Sequence, residues 1–68
     1  MKKNKVESSN VDAIGYENNT LYVDFKSGGQ YKYYNVEEKV FHELLNAKSH
    51  GRYLNAYVKG HYEYAKIK

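Results

Sequence analysis

The sequence predicts an α+β domain: a three-stranded antiparallel meander followed by two short helices packed on one sheet face. Three observations carry that prediction. Residues 20–26, "TLYVDFK", alternate apolar and polar side chains with the two-residue period of a strand. Two reversal signals, "NN" at 18–19 and "SGG" at 27–29, stand where such strands turn back. After residue 35 the apolar spacing changes to that of a helix.

The elements follow in order. "MKKNK", residues 1–5, is basic and no apolar stretch follows it, so it reads as a flexible arm rather than a secretory leader. Residues 6–68 then form the single domain. "VDAIGYE", 11–17, is the first strand. In the second strand Leu21, Val23 and Phe25 face the core, while Tyr22, Asp24 and Lys26 face away. "QYKYYNV" is rich in β-formers and makes the third strand. There Tyr31 and Tyr33 share the core face, and Lys32 and Tyr34 take the opposite one. A lone three-stranded sheet needs cover, which the helices supply. Asn35 and Glu38 have capping-box spacing, and Val40, Phe41, Leu44 and Leu45 form one stripe of a helix over 36–48. Gly51 reads as its stop. Tyr53, Leu54, Tyr57 and Val58 repeat the spacing in a second helix over 51–59, ended by Gly60. The tail "HYEYAKIK" alternates, and reads either as an extra C-terminal strand or as an extended tail.

Composition narrows the function classes. The chain has 68 residues, near the lower limit for one self-sufficient domain. It has no cysteine, hence no disulfide framework and no thiolate metal site, which suits a cytoplasmic protein. No run approaches the ~20 apolar residues of a membrane span, so no membrane partner is expected. Nine tyrosines and two phenylalanines supply most of the burial. Charge is unevenly spread: residues 1–47 carry six lysines against seven acidic residues. Residues 48–68 carry four lysines and Arg52 against Glu63 alone, with His50 and His61 beside them. A basic third of this kind points to a polyanionic partner.

Catalytic patterns are missing from the sequence. "HE" at 42–43 is not followed by a second histidine at metal-ligand spacing, and His50 and His61 are scattered. Ser8, Ser9, Ser27 and Ser49 have no recognisable base and orienting acid. "SGG" lacks the length, lysine and hydroxyl of a phosphate loop. The residues predict no enzyme, no metal and no cofactor.

Two stretches suggest binding instead. Lysines interleaved with tyrosines on an open sheet face suit base stacking with phosphate contact. In "SHGRYLN", 49–55, Arg52 opens a helix, where backbone donors and a positive dipole favour phosphate. The nucleic-acid-binding set expected from these patterns is Arg52, Lys48, Lys59, Lys66 and Lys32 on phosphates. Tyr34, Tyr22 and Tyr64 would stack, and Asn55 would read a base edge.

The succession Ser8–Ser9, "IGYE" at 14–17, "LYVDF", "SGGQYKY", "HELLNAKSHGRYLN" and the closing "KGHYEY" resembles the KTSC domain. That domain is named from the C-terminus of some lysyl-tRNA synthetases, and the resemblance spans roughly residues 6–68. It implies a single module of the kind also found alone in bacteria and phages. Family helices often begin with proline after the third strand's valine, where this chain has Glu37. RNA binding is a suggestion made for the family. The expected function is therefore a non-catalytic module binding RNA or a nucleotide-bearing polyanion. The alternative is a protein–protein module docking through exposed tyrosines, such as a small phage protein that binds a host factor. Either way it is a monomer, or a homodimer through a sheet edge.

Overall fold

The computed structural model describes residues 1–68. The elements are β1 (Lys3–Lys5), β2 (Val11–Glu17), β3 (Thr20–Phe25), β4 (Gln30–Tyr33), α1 (Glu38–Leu45), α2 (His50–Tyr53), a π-helical turn (Leu54–Val58) and β5 (Tyr64–Lys66). All five strands form one antiparallel sheet in chain order, β1-β2-β3-β4-β5, with the helices on one face. The α+β class stands; the meander gains β1 at its start, and the tail takes the strand alternative as β5.

The central meander follows its local chemistry. Asn18 and Asn19 both adopt positive φ, 52° and 60°. That pair of left-handed residues is what a two-residue hairpin needs for its twist to match the strands. Gly28, at φ 103°, makes the second reversal. Register then sets the faces: Ile14 pairs Val23, Tyr16 pairs Leu21, and these in turn meet Tyr31 and Tyr33. A bulge between Val11 and Ala13 keeps Val11 on the core side.

Ten buried residues form the core. Val11, Ile14, Leu21, Val23 and Tyr33 come from the sheet. Val36, Val40, Leu44, Leu54 and Val58 come from the covering layer. The helical stripes were read correctly on Val40, Leu44, Leu54 and Val58, while Tyr57 is exposed. Two polar contacts fix the path from β4 into α1. The Tyr16 hydroxyl donates to the Val36 carbonyl at 2.6 Å, and the Val36 amide donates to the Asn19 carbonyl at 2.8 Å. Tyr16 also stacks on Phe41, with ring centroids 5.4 Å apart.

Three sequence expectations need correction, and one open alternative is decided. Residues 1–5 are not a flexible arm, because Lys3–Lys5 pair along β2 as an edge strand. The tail is a strand: Tyr34 N–H donates to Glu63, Ile67 N–H to Gln30, and Gln30 N–H to Lys68. Asn35 does not cap α1, since it lies in the left-handed region at φ 57°, and Glu37 occupies the N-cap without a side-chain bond. Nor does Gly51 end a helix. It lies inside α2, where an added Cβ would stand 2.9 Å from Asn10 Oδ1. Helix α1 instead ends at Asn46, whose side-chain amide donates back to the His42 carbonyl at 2.8 Å.

Candidate functional site

A groove of about 590 Å³ opens on the helix side of the sheet, along the β4–β5 edge. Its lining is Phe25, Ser27, Tyr31, Tyr33, Lys59, Gly60 and Tyr64. That size lies inside the ~300–1,000 Å³ typical of small-ligand sites. Its position follows from strand order: β5 adds an edge to the sheet beyond β4.

Three parts of the chain build it. Strand β4 contributes Tyr31 and Tyr33, two positions apart and therefore on one face. Strand β5 brings Tyr64 opposite Tyr33, with its ring 5.9 Å from Tyr31 and 6.0 Å from Tyr33. Phe25 meets Tyr31 edge-on at 5.6 Å. These separations are those of favourable aromatic pairs. Tyr64 is 61% exposed, so one ring remains free to stack on an incoming group.

The cation arrives through irregular helix. The Lys59 amide donates to the Leu54 carbonyl at 2.7 Å, closing the five-residue span of a π turn. Such turns are rare and recur at functional positions. Here it ends the helix so that Lys59 Nζ lies 5.2 Å from the Phe25 ring centroid, within cation–π range. No carboxylate lines the groove. Burial, reinforced by the neighbouring Tyr31 and Tyr64, raises the Tyr33 pKa above its ordinary 10.0.

The expected site residues divide into three groups. Lys59 and Tyr64 line the groove, and Lys66 follows on the same face of β5, opposite Tyr31. Lys32 and Tyr22 pair across β3 and β4 on the opposite sheet face. Tyr34 lies one residue beyond β4 and its ring is 5.4 Å from Lys32 Nζ. Lys48, Arg52 and Asn55 are exposed around α2, outside the groove lining. The Arg52 amide already donates to Ser49 Oγ at 3.2 Å, so that helix-start donor is satisfied internally. Ser49 is the cap that its position suggested.

Sequence reasoning placed Tyr31 and Tyr33 in the core and did not assign Phe25, Ser27 or Gly60 to a site. Tyr33 is core, but Tyr31 is half-buried and shared between core and groove. The available signal was the pair of Y-x-Y repeats, at 31–33 and 62–64. Both project aromatic rings from alternate positions.

His50 and His42 have separate local roles. His50 Nδ1–H donates to the Leu44 carbonyl at 2.8 Å and ties α2 to the end of α1. His42 stands 3.3 Å from Glu38 one turn away on α1. No helix is long and apolar enough to cross a membrane.

A five-stranded sheet, helices on one face and an aromatic groove at one edge define a small α+β module. The sequence pattern of the KTSC domain matches residues 7–62, and the chain belongs to that family. It superposes on the crystal structure of a KTSC domain protein from Yersinia pestis with a TM-score of 0.94. That match has 32% identity and covers 98% of this chain and 97% of the other. An uncharacterized protein of Stutzerimonas stutzeri is 40% identical over 98% of this chain and 99% of its own length. A lysine–tRNA ligase of Nostoc sp. is 38% identical over 93% of this chain, a segment that makes up 12% of the ligase.

Proposed function

We propose that the chain is a non-catalytic binding module for RNA or another nucleotide-bearing polyanion, and that the edge groove is where it binds. One observation carries this reading: four aromatic rings and a lysine converge on one groove whose lining holds no carboxylate. Base–aromatic stacking contributes roughly 1–3 kcal/mol per base and tolerates any base, because every base has a π face. Tyr64 is the free ring for that contact, with Tyr31 behind it. Lys59 and Lys66 lie on the same side of the sheet and meet the flanking phosphates. The +3 net charge, concentrated after residue 47, adds long-range attraction.

The match to a segment of a lysine–tRNA ligase supports a setting beside RNA, in a bacterial cytoplasm. Unpaired strands suit the groove better than duplex, since a paired base cannot present its face to Tyr64. The test is a titration of labelled single-stranded RNA with wild type and Tyr64→Ala. Binding that weakens about five- to 150-fold with an unchanged melt supports the reading. Equal binding by the two proteins would sink it.

A further inference from the structure

We infer that the free edge of β5 pairs with the same edge of a second copy of this chain, bringing Lys66 of the second copy against Tyr64 at the rim of the groove. The inference is independent of what the groove binds. It starts from hydrogen-bond parity. Strand β5 has one neighbour, β4, to which Glu63 and Ile67 direct backbone groups. Backbone polar groups alternate in direction along a strand, so those of Tyr64 and Lys66 point outward from the sheet. The side chains of the same two residues stand on the groove face, in register with Tyr33 and Tyr31.

A two-fold axis perpendicular to the sheet runs two such edges antiparallel and keeps both groove faces on one side. Centring the axis on Ala65 sets Tyr64 opposite Lys66 of the second copy, and Lys66 opposite its Tyr64. Both pairs then exchange backbone hydrogen bonds, because all four residues present outward donors and acceptors. Each side-chain pair is a ring and an ammonium, which attract. Centring on Lys66 instead would oppose two lysines, and like charges directly opposite are destabilising. The Ala65 register avoids this, satisfies the backbone, and is the one that keeps both hydrogen-bonded pairs within β5.

The other sheet edge behaves differently. Self-pairing of β1 about Asn4 would set Lys3 opposite Lys5 in both directions, placing like charges together. Lysines guard edges in this way. At β5 the exposed tyrosine converts the lysine from a guard into a partner. Ile67, 49% exposed, is apolar surface that pairing would cover. Each groove would then gain a cation from the neighbouring copy, beside its own Lys59.

Ala65 against Ala65 of the second copy is a non-hydrogen-bonded pair in this register, with Cα atoms about 4.5 Å apart. That spacing is within disulfide reach. The chain has no cysteine, so one introduced thiol gives an unambiguous readout. Ala65→Cys should form an intermolecular disulfide under mild oxidation, while Lys5→Cys at the other edge should not crosslink. Sedimentation of the unmodified chain across concentrations should show a dimer. Tyr64→Lys should abolish it by setting two lysines together, and Tyr64→Lys with Lys66→Glu should restore it. A chain that sediments as a monomer at every concentration overturns the inference. So does a dimer indifferent to both β5 variants, or one in which Lys5→Cys crosslinks as readily as Ala65→Cys.

Discussion

Lys3 reaches across β2 beside Gly15 and places its ammonium 2.9 and 3.0 Å from the two carboxylate oxygens of Asp24 on β3. The path is open because Gly15 has no side chain. A Cβ there would stand 3.2 Å from both Lys3 Cγ and Met1 Sδ. An edge strand without an apolar alternation is held by what it crosses.

Gly15→Val should therefore release β1 and leave the core formed. Hydrogen exchange at the Asn4 and Val6 amides, which point toward β2, should lose its protection, while amides of β3 and α1 keep theirs. Lys3→Ala, which removes only a partly exposed ion pair, should cost about 0.2–1 kcal/mol and less at high salt. Unchanged protection of β1 in Gly15→Val would show that backbone pairing alone holds the strand.

Leu44 is fully buried where α1 meets the sheet. Leu44→Ala should cost about 2–5 kcal/mol, a large share of the stability of so small a domain. Denaturant melts give the value. A loss below about half a kilocalorie would mean that the site collapses around the smaller side chain, contrary to a close-packed core.

Tyr33 and Tyr34 are neighbours with opposite fates. Tyr33 is 3% exposed and Tyr34 36%. Tyr33→Ala should destabilise by about 3–5 kcal/mol, as truncation of a buried aromatic does. Tyr34→Ala should stay within about half a kilocalorie. Equal melting temperatures would contradict the face assignment.

Much of this was legible from residues alone, and the reasons differ by element. The faces of β3 were readable because Leu21, Val23 and Phe25 alternate strictly with polar residues. The hairpin was readable because Asn18 and Asn19 tolerate positive φ. Strand β1 was not, since "KNK" has no apolar face and gains its structure from pairing with β2 and from the space over Gly15. The π turn was hidden because its hydrogen bond spans five residues without altering the helical stripe on Leu54 and Val58. The groove depends on β5 bringing Tyr64 beside Tyr31 and Tyr33, a contact between distant parts of the chain. Local periodicity offered two tyrosine pairs and could not bring them together.

Tyr53 makes stability fall in alkali. Its pKa is pushed up to about 12, first by burial and then by the Glu43 carboxylate that accepts its hydroxyl hydrogen at 2.6 Å. A folded-state pKa above the unfolded value of about 10 means that its contribution is fully present below pH 10. It is lost as pH rises from about 10 through 12. Tyr16 and Tyr33 are raised in the same direction, mainly by burial. Tyr53→Phe should lose about 0.5–1.5 kcal/mol at neutral pH with the hydrogen bond, yet decline less steeply between pH 10 and 12. Denaturant melts at a series of pH values measure both. Parallel declines for the two proteins would remove Tyr53 from the explanation.

The central claim is that the edge groove takes a nucleotide-bearing polyanion. The most direct measurement is the salt dependence of single-stranded RNA binding for wild type, Lys59→Glu with Lys66→Glu, and Arg52→Glu. The structure separates Arg52 from the groove, so the two charge variants have different predicted outcomes. Removing both groove-side lysines should lower the slope of log affinity against log salt by about 1.4, at roughly 0.7 per single-strand phosphate contact. Arg52→Glu should leave the slope near that of wild type. Melting curves must show all three proteins folded. No binding by wild type at low salt would contradict the account, as would a slope that falls with Arg52→Glu and not with the groove lysines.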